Sequence, residues 1–392
     1  MGLRIEAVER VEAPSMIAGQ NDQTLTDLHR RMLEIADPED RARSSWRRGR
    51  ARFLTELRLR KLRFLLKQRH LPSRAVNFLL FLAERKRVAR VHYLPPVVTV
   101  EAVNGCNLRC PQCATGTCDP RARRKGKASL ADLRSVIDQV CRKSLQINFH
   151  YLGEPLLNDD FYAACAYAVE KGLWTTIHSN LNIRDDDLAR KIVSSKLCNL
   201  VVSCDGATQE VYEEYRVGGN VDLVFRNLRE IAEHRRASGS RFPWITAQFL
   251  VFDHNWHEME RFQERACAAG ADEILFLPGC RNGTIKTGHV WAEEVFRLAT
   301  LDWVGRETPA VCSELWETPI LTYDGGLYPC CFCFRDEDLF TRPQEAKGRA
   351  ILDHWNSPAY RAARSFFLGR SLSREDLPRP CRDCGRTLAR KR

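Results

Sequence analysis

Two hydrophobic periodicities divide the chain. From Val97 onward, short apolar runs of strand length alternate with longer stretches whose apolar residues recur every three or four positions. The short runs are "VVTVEAV" (97–103), "QINFHYL" (146–152), "WTTIHS" (174–179), "NLVVSC" (199–204), "WITAQFLV" (244–251) and "EILFL" (273–277), and they predict six β-strands. The longer stretches predict helices, among them "SLADLRSVIDQVCRK" (129–143), "DFYAACAYAVEKG" (160–172) and "VDLVFRNLREIAEHRRA" (221–237), the first two opening on Ser or Asp caps. Strand and helix in regular succession predict an α/β fold with a parallel sheet and helices outside. In such a fold, when it curls toward a barrel, chemistry gathers at the C-terminal ends of the strands.

The flanks read differently. Residues 1–95 form a separate helical extension, with Leu54, Leu57, Leu62, Leu65 and Leu66 at mixed three and four spacing, closed by Pro95 and Pro96. After about residue 300 the alternation stops. There "ILTYDGGLYPCC" (320–331) reads as a hairpin turning at Asp324, Gly325 and Gly326, and "NSPAYRAARSFFLG" (356–369) reads as a helix. The expected organisation is an extension over 1–95, an α/β core over 96–300 and a small cysteine-rich domain over 301–392.

Charge sharpens the first boundary. The formal net charge is +11, but Arg41 to Arg90 holds 17 Lys or Arg against Glu56 and Glu84, a local +15 that leaves −4 for the rest. The extension is expected to be a helical cap with solvated arginines. As a binding element it suits an anionic membrane surface or an acidic partner; nucleic acid fits least, because no base-stacking aromatics recur along it. The apolar run Ala75–Ala83 is far short of a bilayer span, and the opening residues lack the apolar core of a signal peptide. A cytoplasmic location, with peripheral membrane contact as a variant, is expected. The 16 cysteines then read as thiols or metal ligands.

Three of those cysteines, Cys106, Cys110 and Cys113, fall in "CNLRCPQC" just after the first strand. Three thiolates on one tight loop can hold three corners of a cubane iron-sulfur cluster and leave the fourth iron open to a small chelating molecule. A structural zinc ion would need a fourth ligand, for which Cys118 is the local candidate. Other polar residues also fall where strands end: Gly153 and Glu154, Ser179 and Asn180, Ser203 and Asp205.

With "HYLGEPLL", "VVSCDGATQEVYEEYRVGG" and "QFLVFDHN", the cysteine loop resembles the radical S-adenosylmethionine (SAM) superfamily, in the subgroup with a cysteine-rich C-terminal extension of the SPASM or twitch kind. The resemblance implies a partial (β/α)6 barrel. It implies a [4Fe-4S] cluster on Cys106, Cys110 and Cys113, with SAM on the open iron. Gly153 and Glu154 would receive the SAM amino group, Asn180 and Ser203 would contact ribose or carboxylate beside Asp205, and Arg216 would pair the SAM carboxylate. "IHSNL" departs from the Thr-Asn-Gly turn common in relatives, which places His178 or Ser179 at the ribose contact. An auxiliary [4Fe-4S] cluster is implied on Cys312, Cys330, Cys381 and Cys384, with Cys331 and Cys333 as competitors for Cys330 and zinc as the alternative metal.

Cys204 and Cys280, near strand ends, are candidate hydrogen donors or else buried core thiols; Cys141, Cys165, Cys198 and Cys267 read as buried apolar residues. The expected activity is reductive cleavage of SAM to a 5′-deoxyadenosyl radical that abstracts hydrogen from a small alcohol, sugar or aminocyclitol, giving an oxidation or an epimerisation. A flavodoxin- or ferredoxin-type reductant is implied. The alternatives are a peptide maturase, an enzyme of lipid or cell-envelope substrates and, outside the enzymes, a zinc-stabilised binding protein.

Overall fold

The structure is a computed structural model that describes residues 46–252, 254–279, 312–346, 350–370 and 372–384. All six expected strands are present: β1 (Val97–Val100), β4 (Gln146–Asn148), β5 (Trp174–Ser179), β6 (Asn199–Ser203), β7 (Trp244–Val251) and β8 (Glu273–Pro278). They pair in parallel in that order. The first expected strand is shorter than its apolar run, because the chain breaks after Val100 and resumes as a two-residue strand, β2 (Val103–Asn104). β2 pairs antiparallel with β3 (Gly126–Lys127), so the intervening cysteine loop is clamped at its base. The 320–331 segment does form a hairpin, β9 (Ile320–Leu321) and β10 (Leu327–Tyr328). It does not stand apart from the core: β9 pairs in parallel with β1 and extends the main sheet.

The helices follow the pattern that predicted them. α3 (Leu130–Val140) opens on a capping box between Ser129 and Asp132 and buries Leu133, Ile137 and Val140. α4 (Asp160–Glu170) buries Phe161, Ala164, Cys165 and Ala168. Asp160 caps its neighbour, its carboxylate accepting from the Leu130 N–H at the start of α3. α5 (Leu188–Ser194), α6 (Gln209–Tyr215), α7 (Val221–Ala237) and α8 (Met259–Ala268) complete the layer over the sheet. In the C-terminal region α9 (Ile351–Trp355) lies just before the expected helical stretch and α10 (Pro358–Phe367) within it, and α11 (Arg379–Arg382) follows.

Alternation along the strands separates two faces. Val98, Val100, Ile147, Phe149, Ile177, Leu200, Val202, Ile245 and Phe249 belong to the apolar core beneath the helices. The opposite, inner face is polar, with Thr99, Asn148, Thr176 and Asn199 in register along one row. Asn148 Nδ2 donates to Thr99 Oγ1 at 3.2 Å, and Gln146 Nε2 donates to Asn148 Oδ1 at 2.6 Å. One residue-pair further along the strands, His150 and His178 stack with ring centroids 4.2 Å apart.

Most of the described arginines of the basic extension are exposed, as expected, but Arg60, Lys61 and Arg74 turn inward. α1 (Trp46–Leu66) runs under the N-terminal ends of the strands: Lys61 donates to Gln146, Phe64 packs edge-on against Trp174, and the Arg60 guanidinium lies 4.6 Å from the Trp244 ring centre. Burial lowers the Lys61 ammonium to about 8. α2 (Leu71–Glu84) directs its cationic residue inward. Arg74, fully buried, donates to the Cys141, Lys171 and Gly172 carbonyls, where α3 and α4 end and helix dipoles favour a cation.

A second buried arginine joins the sheet to the C-terminal hairpin. Arg123 donates to Asp336 at 2.9 Å and to Asp324, and its Nη1 stands 3.7 Å from Glu101. Burial pushes the Glu101 carboxyl up to about 7 in spite of the arginine. A group with a higher pKa folded than unfolded adds stability below its unfolded value and loses it as pH rises through the folded one. Stability is therefore expected to fall between pH ~4.5 and ~7 by on the order of 3 kcal/mol from this residue. Glu101→Gln should remove that part of the slope, read as urea midpoints at about pH 5 and about pH 8.

Candidate functional site

The loop between β2 and β3 leaves the C-terminal end of β1 and carries Cys106, Cys110 and Cys113. A backbone turn from Cys113 N–H to Cys110 O at 3.1 Å draws two of them together, and Arg109 N–H donates to Val217 O at 2.9 Å, tying the loop to the segment after α6. The three thiols interact electrostatically with one another. Burial pushes Cys106 up to about 11 and raises Cys110 as well, so a trio of thiolates here calls for compensating positive charge. Some is already supplied: Arg216 Nη1 lies 4.0 Å from Cys110 Sγ, while Leu108 N–H and Asn180 Nδ2 approach Cys106 Sγ at 3.4 and 3.5 Å.

The remaining expected residues meet this loop in two chains of contact. In one, Glu154 Oε2 accepts from Asn180 N–H at 2.7 Å, Glu154 Oε1 accepts from Ser179 Oγ at 2.8 Å and from Leu156 N–H at 3.1 Å, and Asn180 reaches Cys106. In the other, Asp205 Oδ2 accepts from Arg216 Nε at 2.6 Å, Asp205 Oδ1 accepts from Leu250 N–H at 2.7 Å, and Arg216 reaches Cys110. Burial alone would disfavour the Arg216 guanidinium, yet Asp205 and the Cys110 thiol hold its pKa well above the usual value. Ser203 ends β6 in register with Gln248.

These placements refine the expected roles. The Glu154 carboxylate is 2% exposed and already accepts three hydrogen bonds, so it braces the ends of β4 and β5; burial pushes it up to about 7. Gly153 has a firmer structural reason. A Cβ there would lie 2.1 Å from Val103 O and 2.8 Å from Gly105 O, so only glycine lets the β4 end pass this close to the cysteine loop. Cys118 is exposed, with its thiol 4.0 Å from Thr115 O on the outside of the loop. Among the described residues no three His, Cys, Asp or Glu side chains converge as ligands of one metal ion do. Cubane ligands instead each take a separate iron, as three thiols spread along one loop can.

Cys204 lies in the apolar core with its thiol on Gly206 O at 3.4 Å, and burial pushes it up to about 12. Cys280 lies outside the described residues. Cys141, Cys165 and Cys198 are buried, whereas Cys267 is exposed, contrary to expectation, because it falls on the solvent side of α8.

Sequence reasoning missed the asparagine lattice that fixes the loop. Asn107 Nδ2 donates to Asn182 O at 2.7 Å and Asn107 Oδ1 accepts from Asn180 at 3.0 Å, while Asn182 Nδ2 donates to the buried Tyr212 hydroxyl at 2.6 Å. The asparagines in "CNLRC" and "SNLN" were the available signal. The stacked His150 and His178 were missed as a pair. Both are held neutral by burial, His178 at about 4 with Arg216 adding to the effect, and the buried Nδ1 of His150 has no hydrogen-bond partner among the described residues.

The second cysteine group assembles from three distant segments. Burial, then Cys312, Cys330 and Cys384, raise the Cys381 thiol well above its usual pKa, which puts all four expected ligands in one neighbourhood. Of the competitors, Cys331 is exposed; Cys333 is buried, with its sulfur 3.7 Å from that of Cys330. Tyr151, just beyond β4, donates its hydroxyl to Cys333 O and packs 5.9 Å from the Tyr328 ring. The next residue reaches the first group: Leu152 O accepts from the Cys113 thiol at 3.9 Å, so the backbone beyond β4 lies between the two.

Comparison with known proteins agrees with this division. The profile of the Radical SAM superfamily matches residues 100–266, and that of SPASM, an iron-sulfur cluster-binding domain, matches residues 312–385. The mycofactocin maturase MftC of Mycobacterium tuberculosis is 26% identical over 204 residues, 51% of this chain and 48% of that one. The Fe-coproporphyrin III synthase of Methanosarcina barkeri is 28% identical over 148 residues, 38% of this chain and 36% of that one. The chain therefore spans about half the length, or less, of these relatives. Among solved structures, Streptococcus suis SuiB bound to S-adenosylmethionine superposes with a TM-score of 0.57 at 16% identity, covering 88% of this chain and 84% of SuiB. SuiB has also been solved with its precursor peptide SuiA. Domain matches and cysteine placement agree: the chain carries a radical SAM domain and a C-terminal SPASM domain, whose cofactors are SAM and [4Fe-4S] clusters, an auxiliary one among them.

Proposed function

We propose that this enzyme abstracts a hydrogen atom from a peptide and so matures it. The observation that carries the reading is the shared fold, over 88% of this chain, with SuiB, which binds a precursor peptide. The maturase MftC points the same way. This replaces the small alcohol or sugar expected from the single auxiliary site, a feature of the cofactor that says little about substrate size.

When bound and reduced, the cluster on Cys106, Cys110 and Cys113 supplies cleavage of SAM to methionine and a 5′-deoxyadenosyl radical. The chain's residues do the rest. Arg216 and Asn180 offer hydrogen-bond donors beside the thiolates, Gly153 keeps the β4 end close enough to meet the amino group of SAM, and Glu154 fixes Asn180 without spending its own charge on the ligand. The neutral pair His150 and His178 lines the inner face below them, and the auxiliary cluster held by the SPASM cysteines would take up a substrate electron. A flavodoxin- or ferredoxin-type protein would deliver the electron that starts the reaction.

The test is isotopic. With anaerobically reconstituted enzyme, SAM and dithionite, deuterium from a deuterated extract of the source cells should appear in 5′-deoxyadenosine. Protease treatment of the extract should remove that transfer. Transfer that survives protease and follows the small-metabolite fraction would overturn the peptide reading in favour of a small molecule, and no transfer from either fraction would overturn it as well.

A further inference from the structure

Among the described residues, eight of the nine large hydrophobic side chains that stand exposed lie on α1 and α2: Leu59, Leu62, Leu66, Val76, Phe78, Leu79, Leu80 and Leu82. Their arrangement inverts the usual amphipathic helix. α2 turns Arg74 and Asn77 into the body of the protein and presents Val76, Leu79 and Leu80 on the far side, with Leu79 64% exposed. α1 does the same: Lys61 and Phe64 meet the sheet, while Leu59, Leu62 and Leu66 form a stripe one helical turn apart on the opposite side.

The rim of this apolar surface is cationic. Arg58, Arg63, Lys67 and Arg69 flank the α1 stripe, and Arg85, Lys86, Arg87 and Arg90 follow α2, all exposed. The acids of the two helices, Glu56 and Glu84, are already engaged by Arg60 and His92. We propose that this face docks on an anionic lipid bilayer, with the leucines entering the headgroup boundary and the arginines and lysines meeting lipid phosphates. Charge decides between occupants. A second copy would bring two cationic rims together at an isologous contact, and a nucleic acid offers no apolar counterpart to the leucine stripe. The inference is independent of the substrate reading.

Docking here fixes the orientation of the enzyme. α1 lies under the N-terminal ends of β4, β5 and β7, and Arg74 caps the C-terminal ends of α3 and α4, whereas the cluster loop leaves the opposite end of β1. The mouth of the site therefore faces water, and substrate and reductant approach from the aqueous side.

Co-sedimentation of the full chain with extruded vesicles of phosphatidylglycerol and phosphatidylcholine, against phosphatidylcholine alone, tests this. Binding is expected to the anionic vesicles only and to weaken with added salt. Leu79→Asp should lower the affinity about tenfold or more, and the charge reversal Lys86→Glu with Arg87→Glu should lower it by a similar factor. Both changes are at exposed positions, so iron content and melting temperature should be unchanged. No binding to anionic vesicles, equal binding to neutral ones, or insensitivity to both variants would overturn the proposal. So would a lipid-free dimer that Leu79→Asp dissociates, which would assign the face to a second copy.

Discussion

Cys110→Ala is expected to reduce 5′-deoxyadenosine formation from SAM and dithionite to background. Cys110 is the buried member of the trio, next to Arg216, on a loop held at both ends by β2 and β3. With two thiolates left, the loop cannot hold a cubane that already lacks a fourth protein ligand. Iron and sulfide should fall from about eight per chain to about four, since the SPASM cysteines lie on other segments. Two companions make the result specific. Cys118→Ala should leave turnover and iron unchanged, because that thiol faces outward; a loss of metal there would restore the four-ligand zinc reading. Cys384→Ala should remove the auxiliary cluster and spare SAM cleavage. Turnover that survives Cys110→Ala would refute the assignment of the first site.

The residues that show this plainly in the sequence are those whose chemistry depends on neighbours along the chain. The cysteine loop, the strand runs and the Ser129 cap are local patterns, and each sits in the structure close to where the pattern puts it. What escaped was long-range. Arg74 and Lys61 look like any other members of a charge run, and nothing in their immediate neighbours says that one caps two helix ends and the other fills the base of the sheet. The expectation of a helical cap with solvated arginines therefore holds for most of those described and fails at Arg74. The hairpin at Ile320–Tyr328 was read as the start of a separate domain because local pattern reveals a hairpin but not its partner; β1 offered an open edge and took it. Nor does its neighbourhood along the chain show that Glu154 also accepts from Ser179, Asn180 and Leu156. His150 and His178 are 28 residues apart and meet only through the parallel register of β4 and β5.

Arg216→Leu is expected to be the most damaging substitution outside the cysteines, and the reason lies in its partner. Asp205 is fully buried, and among the described residues its carboxylate accepts, apart from Arg216, only from Leu250 N–H. Removing the guanidinium leaves a buried carboxylate without its counter-charge, a loss of roughly 3–5 kcal/mol. Adding Asp205→Asn to that variant should restore much of the stability, and the coupling read from the double-mutant cycle measures the pair. Stability alone would not show whether Arg216 also holds SAM. Arg216→Lys separates the two roles, because lysine keeps the charge beside Asp205 but loses the planar fork that can serve Asp205 and a second carboxylate together. The lysine variant should therefore melt closer to the parent than the leucine variant does, while its KM for SAM rises at unchanged iron content. A parent-like KM would confine Arg216 to positioning the segment after α6, leaving the cysteine loop and the β5 end to hold the cofactor without it.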